Sequence, residues 1–84
     1  MKFKVYISHK VQKIINALPL QIQEKVLDGL SEIQKNPFQG KALMGNFAGA
    51  YSFRAWPYRI IYTIRKKELI VHVLYVVHRK DAYK

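Results

Sequence analysis

The stretch from Tyr51 to Tyr62, Tyr-Ser-Phe-Arg-Ala-Trp-Pro-Tyr-Arg-Ile-Ile-Tyr, leaves this chain few ways to fold. Two runs alternate in polarity, are rich in aromatic and β-branched residues, and are separated by Trp56-Pro57. Such a pattern predicts a β-hairpin. With Ala55 to Tyr58 as the loop, Tyr51 faces Tyr62, Phe53 faces Ile60 and Arg54 faces Arg59. One face then carries Tyr51, Phe53, Tyr58, Ile60, Tyr62 and Ile64. The other carries Ser52, Arg54, Arg59, Ile61, Thr63 and Arg65. Two arginines opposed across a ladder repel. Either something anionic sits between them, or both splay apart into water.

The flanking sequence supplies the partners of this hairpin. Lys2 to Ile7 alternates with Phe3, Val5 and Ile7 on one face, a short strand with one buried side. Ser8 stands ahead of a helical pattern as an N-cap. Val11, Ile14, Ile15 and Leu18 recur at helical spacing and Pro19 ends that helix. Pro19 also opens a second helix, whose apolar stripe is Ile22, Val26, Leu27, Leu30 and Ile33. Glu24, Asp28 and Glu32 form an acidic ridge on another face. Gly29 inside this helix marks close packing or nothing, and Asn36-Pro37 stops it. The short link makes the pair an antiparallel helical hairpin. Phe38 to Gly49 reads as loop, with an extended piece at Lys41 to Met44.

After the central hairpin, Arg65-Lys66-Lys67-Glu68 is a charged turn and Leu69 to Val77 a strand apolar at nearly every position. Coverage on both faces places it inside the sheet. A two-residue turn at Lys66-Lys67 sets His72 opposite Ile61 and Leu74 opposite Arg59, and sends His78 out on the face of Arg54 and Arg59. The expected fold is one α+β domain over residues 1–84: an antiparallel sheet with an N-terminal helical hairpin on one face, in the order β-α-α-β-β-β.

At 84 residues the core is small, yet half of the residues are hydrophobic, enough to fold. The net charge of +10 points to an anionic partner: nucleic acid, an acidic protein or a membrane surface. The charge is uneven. Three of the five acids lie on the second helix. Arg54, Arg59, Arg65, Lys66, Lys67, Arg79, Lys80 and Lys84 follow, against Glu68 and Asp81. The sheet face away from the helices therefore gathers arginines interleaved with Tyr and His, which suits phosphate contact and base stacking. The plain alternative is a solvated basic face. No cysteine is present, and no two histidines stand at ligand spacing, so neither a metal site nor a cofactor is expected. His9 reads as exposed and His72 as packed. His78 stands beside Arg79, where its ordinary pKa suits proton transfer. Without a signal-peptide run or a span of membrane length, a soluble cytoplasmic protein is expected.

Leu43-Met44-Gly45, then Tyr51-x-x-Arg54-x-x-x-Tyr58-Arg59-Ile60-Ile61-Tyr62, then His78-Arg79-Lys80-x-x-Tyr83 resemble the RelE/ParE toxin superfamily, the small toxins of bacterial and archaeal toxin–antitoxin pairs. Leu18-Pro19 and Asn36-Pro37 fit its habit, so the resemblance covers nearly the whole chain. It implies a compact toxin neutralised by an antitoxin, which on charge grounds should bring an acidic or amphipathic segment. RelE-like members cleave mRNA in the ribosomal A site without a metal. ParE-like members inhibit DNA gyrase. Carried over by position, Arg59 holds the scissile phosphate, and Arg79 and Tyr83 match the C-terminal arginine and tyrosine of the RNA-cleaving members. Arg54 matches a further basic position, and Arg65 and Lys80 add phosphate contacts. His78, Arg79 and Tyr83 together favour the endoribonuclease. A gyrase inhibitor or a catalytically weak RNA-binding relative is the alternative. One departure bears on mechanism: Ala50 and Ser52 stand where RNA-cleaving members have lysines, which leaves His78 as the substitute base or the activity weak.

Overall fold

The computed structural model describes residues 2–81. β1 (Lys4–Ile7) leads to α1 (His9–Asn16) and α2 (Leu20–Lys35). A 3-10 turn at Pro37–Gln39, the short β2 (Lys41–Ala42) and a second 3-10 turn at Gly45–Phe47 follow. β3 (Ala50–Ala55), β4 (Tyr58–Arg65) and β5 (Ile70–His78) complete a sheet of order β1-β5-β4-β3-β2.

Local signals set the helices as expected. The Ser8 hydroxyl accepts from the Val11 N–H at 3.2 Å and caps α1. Pro19 stands at the N-cap of α2 rather than inside its first turn. Gln23 donates to the carbonyls of Asn16 and Leu18 at 3.1 and 2.8 Å, satisfying acceptors that the end of α1 leaves free. The apolar stripes hold in part. Val11, Ile15, Val26, Leu30 and Ile33 are buried, whereas Ile14 and Leu27 face solvent. Gly29 marks close packing. A Cβ there would stand 3.0 Å from Ile60 Cδ1 and 3.3 Å from the Phe53 ring, so its absence lets α2 lie flat on the hairpin.

The β3–β4 register is the expected one: Tyr51 faces Tyr62, Phe53 faces Ile60 and Arg54 faces Arg59. Phe53, Tyr58, Ile60, Tyr62 and Ile64 join the core under the helices, with Val71, Val73 and Val76 of the interior β5. Three features of the sheet depart from expectation. β1 pairs parallel to β5, so the sheet is mixed, because the helical hairpin returns the chain to β1's own end of the sheet. The turn into β5 spans Lys66 to Leu69, with Leu69 in the left-handed region at φ 55°, and Arg65 faces Ile70. A bulge places Ile61 opposite Tyr75 but Tyr62 opposite Val73, leaving Leu74 as the extra residue. His72 therefore faces Thr63, not Ile61, and Arg59 faces Val77, not Leu74. His78 faces Tyr58 and so points to the helix side, not to the side of Arg54 and Arg59. In a strand apolar at nearly every position, a change of phase leaves no mark in the alternation.

Tyr62 joins the layers. It is fully buried, stacks on Tyr51 at 5.7 Å between centroids, and its hydroxyl donates to the Pro37 carbonyl at 2.7 Å. Desolvation pushes its pKa up to about 12, with a nearby Gly40 backbone hydrogen bond lowering it and Tyr51 adding to the rise. The unfolded chain loses this proton near pH 10 while the folded chain keeps it. Stability from this group is therefore complete below pH 10 and is lost as pH rises through about 12. Urea unfolding across that window should show a loss of about 2 to 3 kcal/mol in the wild type that is missing in Tyr62→Phe. A Tyr62→Phe protein with the same alkaline loss would contradict this assignment. Val73, 1% exposed in the interior strand, should not tolerate a carboxylate. Val73→Asp leaves an unpaired buried charge costing about 3 to 5 kcal/mol, and circular dichroism should find it unfolded or barely folded.

Candidate nucleic-acid interface

The opposed arginines at the hairpin are not left to repel. Arg59 Nη1 donates to Ser52 Oγ at 3.2 Å. Ser52 is a buried serine on the sheet face away from the helices, beside buried Ala50 and Ile61. Arg54 turns the other way, its guanidinium carbon 5.2 Å from the centroid of the Trp56 ring. Each arginine has a neutral partner of its own. Both still line one open groove with Gln39, Gly40 and Lys41. Three cationic side chains from β2, β3 and β4 thus border a common space, where an anion would meet several donors at once.

A second junction ties the end of β5 to the hairpin tip. The Arg79 N–H donates to the Pro57 carbonyl at 2.8 Å, and the Arg79 guanidinium carbon lies 4.9 Å from the Trp56 centroid. Arg54 therefore links the two junctions, since it reaches both Trp56 and the groove of Arg59. The residues expected to act together divide accordingly. Arg54 shares a groove with Arg59 and the Trp56 ring with Arg79. His78 packs edge-to-face on Tyr58 at 5.3 Å, and its Nδ1 accepts the Lys80 N–H at 3.1 Å. A neutral ring held this way carries its proton on Nε2 and offers a donor rather than a base. Lys80 is exposed just past β5. Arg65 stands at the far end of β4, roughly 20 Å from Arg59 along the strand, and its guanidinium is 3.7 Å from Glu68. Tyr83 lies outside the described residues.

In the sequence Trp56 reads only as a turn residue, and Ser52 as a member of the arginine face standing where RNA-cleaving relatives have a lysine. The signal for Trp56 was its place two residues after Arg54. The signal for Ser52 was its register one step from Arg59 across the ladder. The acidic ridge also comes closer than expected: Asp28 and Glu32 line a groove with Lys25, Arg54 and Trp56 on the helix side of the hairpin. Among the described residues, no three His, Asp or Glu side chains gather into a metal-ligand set.

Comparison with known proteins decides the family. Residues 3–83 match the model of the ParE toxin of the type II toxin–antitoxin system parDE. The chain belongs to the RelE/ParE toxins. The toxin is 29% identical over 86 residues to Toxin RelG of Mycobacterium tuberculosis, covering all of this chain and 99% of that one. The toxin–antitoxin complex RelBE2 of the same organism superposes with a TM-score of 0.84 at 27% identity, over 94% of this toxin and 100% of the matched chain. The archaeal RelE–RelB complex from Pyrococcus horikoshii shares the fold, with a TM-score of 0.81 at 24% identity over 98% of this toxin and 100% of the other chain.

If the converging arginines are a phosphate site, each should carry part of the salt-dependent affinity for a short oligoribonucleotide. Arg54→Ala and Arg59→Ala should each weaken binding and each flatten the salt slope by about one. Arg65→Ala, far from the groove, should change the affinity much less. Equal effects at all three positions would mean a diffuse basic surface instead.

Proposed function

We propose that this toxin is an endoribonuclease that cleaves mRNA in the ribosomal A site without a metal ion and so inhibits translation. The observation that carries the reading is that Arg54 borders one groove with Arg59 and shares the Trp56 ring with Arg79. Cleavage requires the 2′-hydroxyl to give up its proton, here to water, as its oxygen attacks the adjacent phosphate in line, with positive charge on the phosphorane and a proton for the leaving 5′-oxygen. Arg59, braced by Ser52, holds the scissile phosphate. Arg54 and Arg79 offer guanidinium forks to its developing charge. His78 supplies the leaving-group proton only as an imidazolium, the form in which Nδ1 no longer accepts from Lys80, and returns to the neutral ring on release. Tyr83 keeps the role that the resemblance implies, orienting or stacking on a base, and Lys80 adds backbone contact. Ala50 and Ser52 are buried where the RNA-cleaving relatives' lysines would stand. The rate therefore rests on phosphate positioning and charge stabilisation more than on a lysine base.

The match to a ParE model keeps a second reading alive, inhibition of DNA gyrase through protein contact. Induction of the toxin alone, followed by mapping of mRNA 5′ ends, separates the two. Clustered in-frame cuts support the nuclease. Intact mRNA with arrested supercoiling supports the gyrase inhibitor. Arg59→Ala and Arg79→Ala should abolish growth inhibition while the protein stays folded. His78→Ala should slow single-turnover cleavage on programmed ribosomes by about 100-fold or more. Full toxicity in both arginine variants, with wild-type cleavage, would refute the site.

The solved complexes of RelBE2 and of the archaeal RelE–RelB support an antitoxin as the partner of this chain too. The helices keep Ile14, Leu20 and Leu27 exposed, an apolar surface for an amphipathic segment. An acidic stretch of the same partner would cover the arginines. Association should therefore slow as salt rises, with dissociation changing less; an on-rate indifferent to ionic strength would count against the acidic stretch.

A further inference from the structure

We propose that Trp56 is a positioning residue, whose indole gathers Arg54 of β3 and Arg79 beyond β5 into one two-guanidinium clamp for adjacent phosphates of single-stranded RNA. The choice of RNA rests on the nuclease reading; the clamp itself rests on geometry.

Both guanidinium carbons lie within cation–π range of the same ring, at 5.2 Å for Arg54 and 4.9 Å for Arg79. Together these distances limit the separation of the two carbons to about 10 Å, roughly a Debye length, where like charges still repel. Nothing in the order of the chain brings these two arginines together. The negative face of an indole is a neutral partner that each cation can use, with Asp28 and Glu32 bordering the same groove on the helix side. A carboxylate in its place would hold the arginines equally well but would occupy the donors and repel a phosphate. Stacking uses the flat face of a guanidinium, so its N–H groups, which lie in the plane, remain directed outward for bidentate contact.

The backbone that carries the indole is held at both turn residues. Lys25 Nζ donates to the Trp56 carbonyl at 3.2 Å, and the Pro57 carbonyl holds the Arg79 N–H at 2.8 Å. The ring is 44% exposed, an unusual cost for the largest apolar side chain at a hairpin tip. The two guanidinium groups beside the ring give that exposed face a partner. A ring serving only to fill the core would be placed with Ile60 and Tyr62, yet Trp56 has no place in that cluster.

Inorganic pyrophosphate is the probe, titrated into the whole chain by calorimetry. Trp56 is the chain's one tryptophan, so its emission reports on the same event. The wild type should bind saturably, with affinity falling as salt rises and with a change in emission. Trp56→Leu should bind about 10-fold more weakly, while Trp56→Phe, which keeps an aromatic face, should stay within about 3-fold. Arg79→Ala should cost about as much as Trp56→Leu, and the double variant little more than either, because the indole acts through the arginines. Wild-type affinity in Trp56→Leu, additive losses in the double variant, or no pyrophosphate binding by the wild type would each overturn the clamp. Should Trp56→Leu fail to fold, the emission of Trp56 in Arg54→Ala and Arg79→Ala decides: a shift in both supports the contact and unchanged spectra refute it. A clamp that binds pyrophosphate in a protein that cuts no mRNA on ribosomes would defeat the nuclease reading and leave the clamp standing.

Discussion

The burial of Tyr62 is the constraint from which the rest of this fold can be traced. A phenol with no exposed surface must give its hydroxyl a partner, and the Pro37 carbonyl is that partner. The bond fixes the segment leaving α2 against the middle of β4. Space for the hydroxyl exists because position 40 has no side chain; a Cβ there would collide with it. β2 follows at once and pairs with β3. One satisfied polar group inside the core thus sets where the helical layer ends and where the edge of the sheet begins. The same segment carries Gln39, Gly40 and Lys41 to the border of the Arg59 groove, so core packing and site construction meet at a single turn.

The second constraint is charge. A chain of 84 residues with a net charge of +10 cannot separate all of its cations. The hairpin resolves its worst conflict, Arg54 opposite Arg59, by offering a buried hydroxyl to one and an aromatic face to the other. Neither partner cancels charge. Both orient a guanidinium and leave its positive charge available to a ligand, whereas an ion pair would have spent it, as Glu68 does near Arg65. The acids Asp28 and Glu32 approach from the helix side, so Arg54 stands between an acidic groove and a basic one.

Catalytic reasoning is altered by the bulge at Leu74. One extra residue in β5 turns His78 away from Arg59 and onto Tyr58, with its Nδ1 engaged by the backbone of Lys80. A histidine that appears in sequence as a base beside an arginine becomes in space a donor on the neighbouring side of the strand. Bulges near functional sites often re-aim a side chain in this way. Here the bulge sets His78 on the opposite face of the sheet from Arg54 and Arg59.

The sequence by itself determined the elements of this protein and the faces they bury. Alternation from Tyr51 to Tyr62 specified the hairpin, its register and the core side of Phe53, Ile60 and Tyr62, because a slip of one residue would have put these side chains into water. Helical spacing and the Ser8 cap specified α1, and the proline at 19 separated it from α2. Only the tertiary structure decided the phase of β5, since Ile70 to Val77 is apolar on both faces apart from His72 and carries no alternation to read. Strand direction was likewise hidden: periodicity records which face a residue occupies, not which way its neighbour runs, so the parallel pairing of β1 with β5 had no local signature. The meeting of Arg54 and Arg79 on Trp56 belongs to the same class. It joins residues at the C-terminal ends of two non-adjacent strands and exists only once β5 has been laid beside the hairpin.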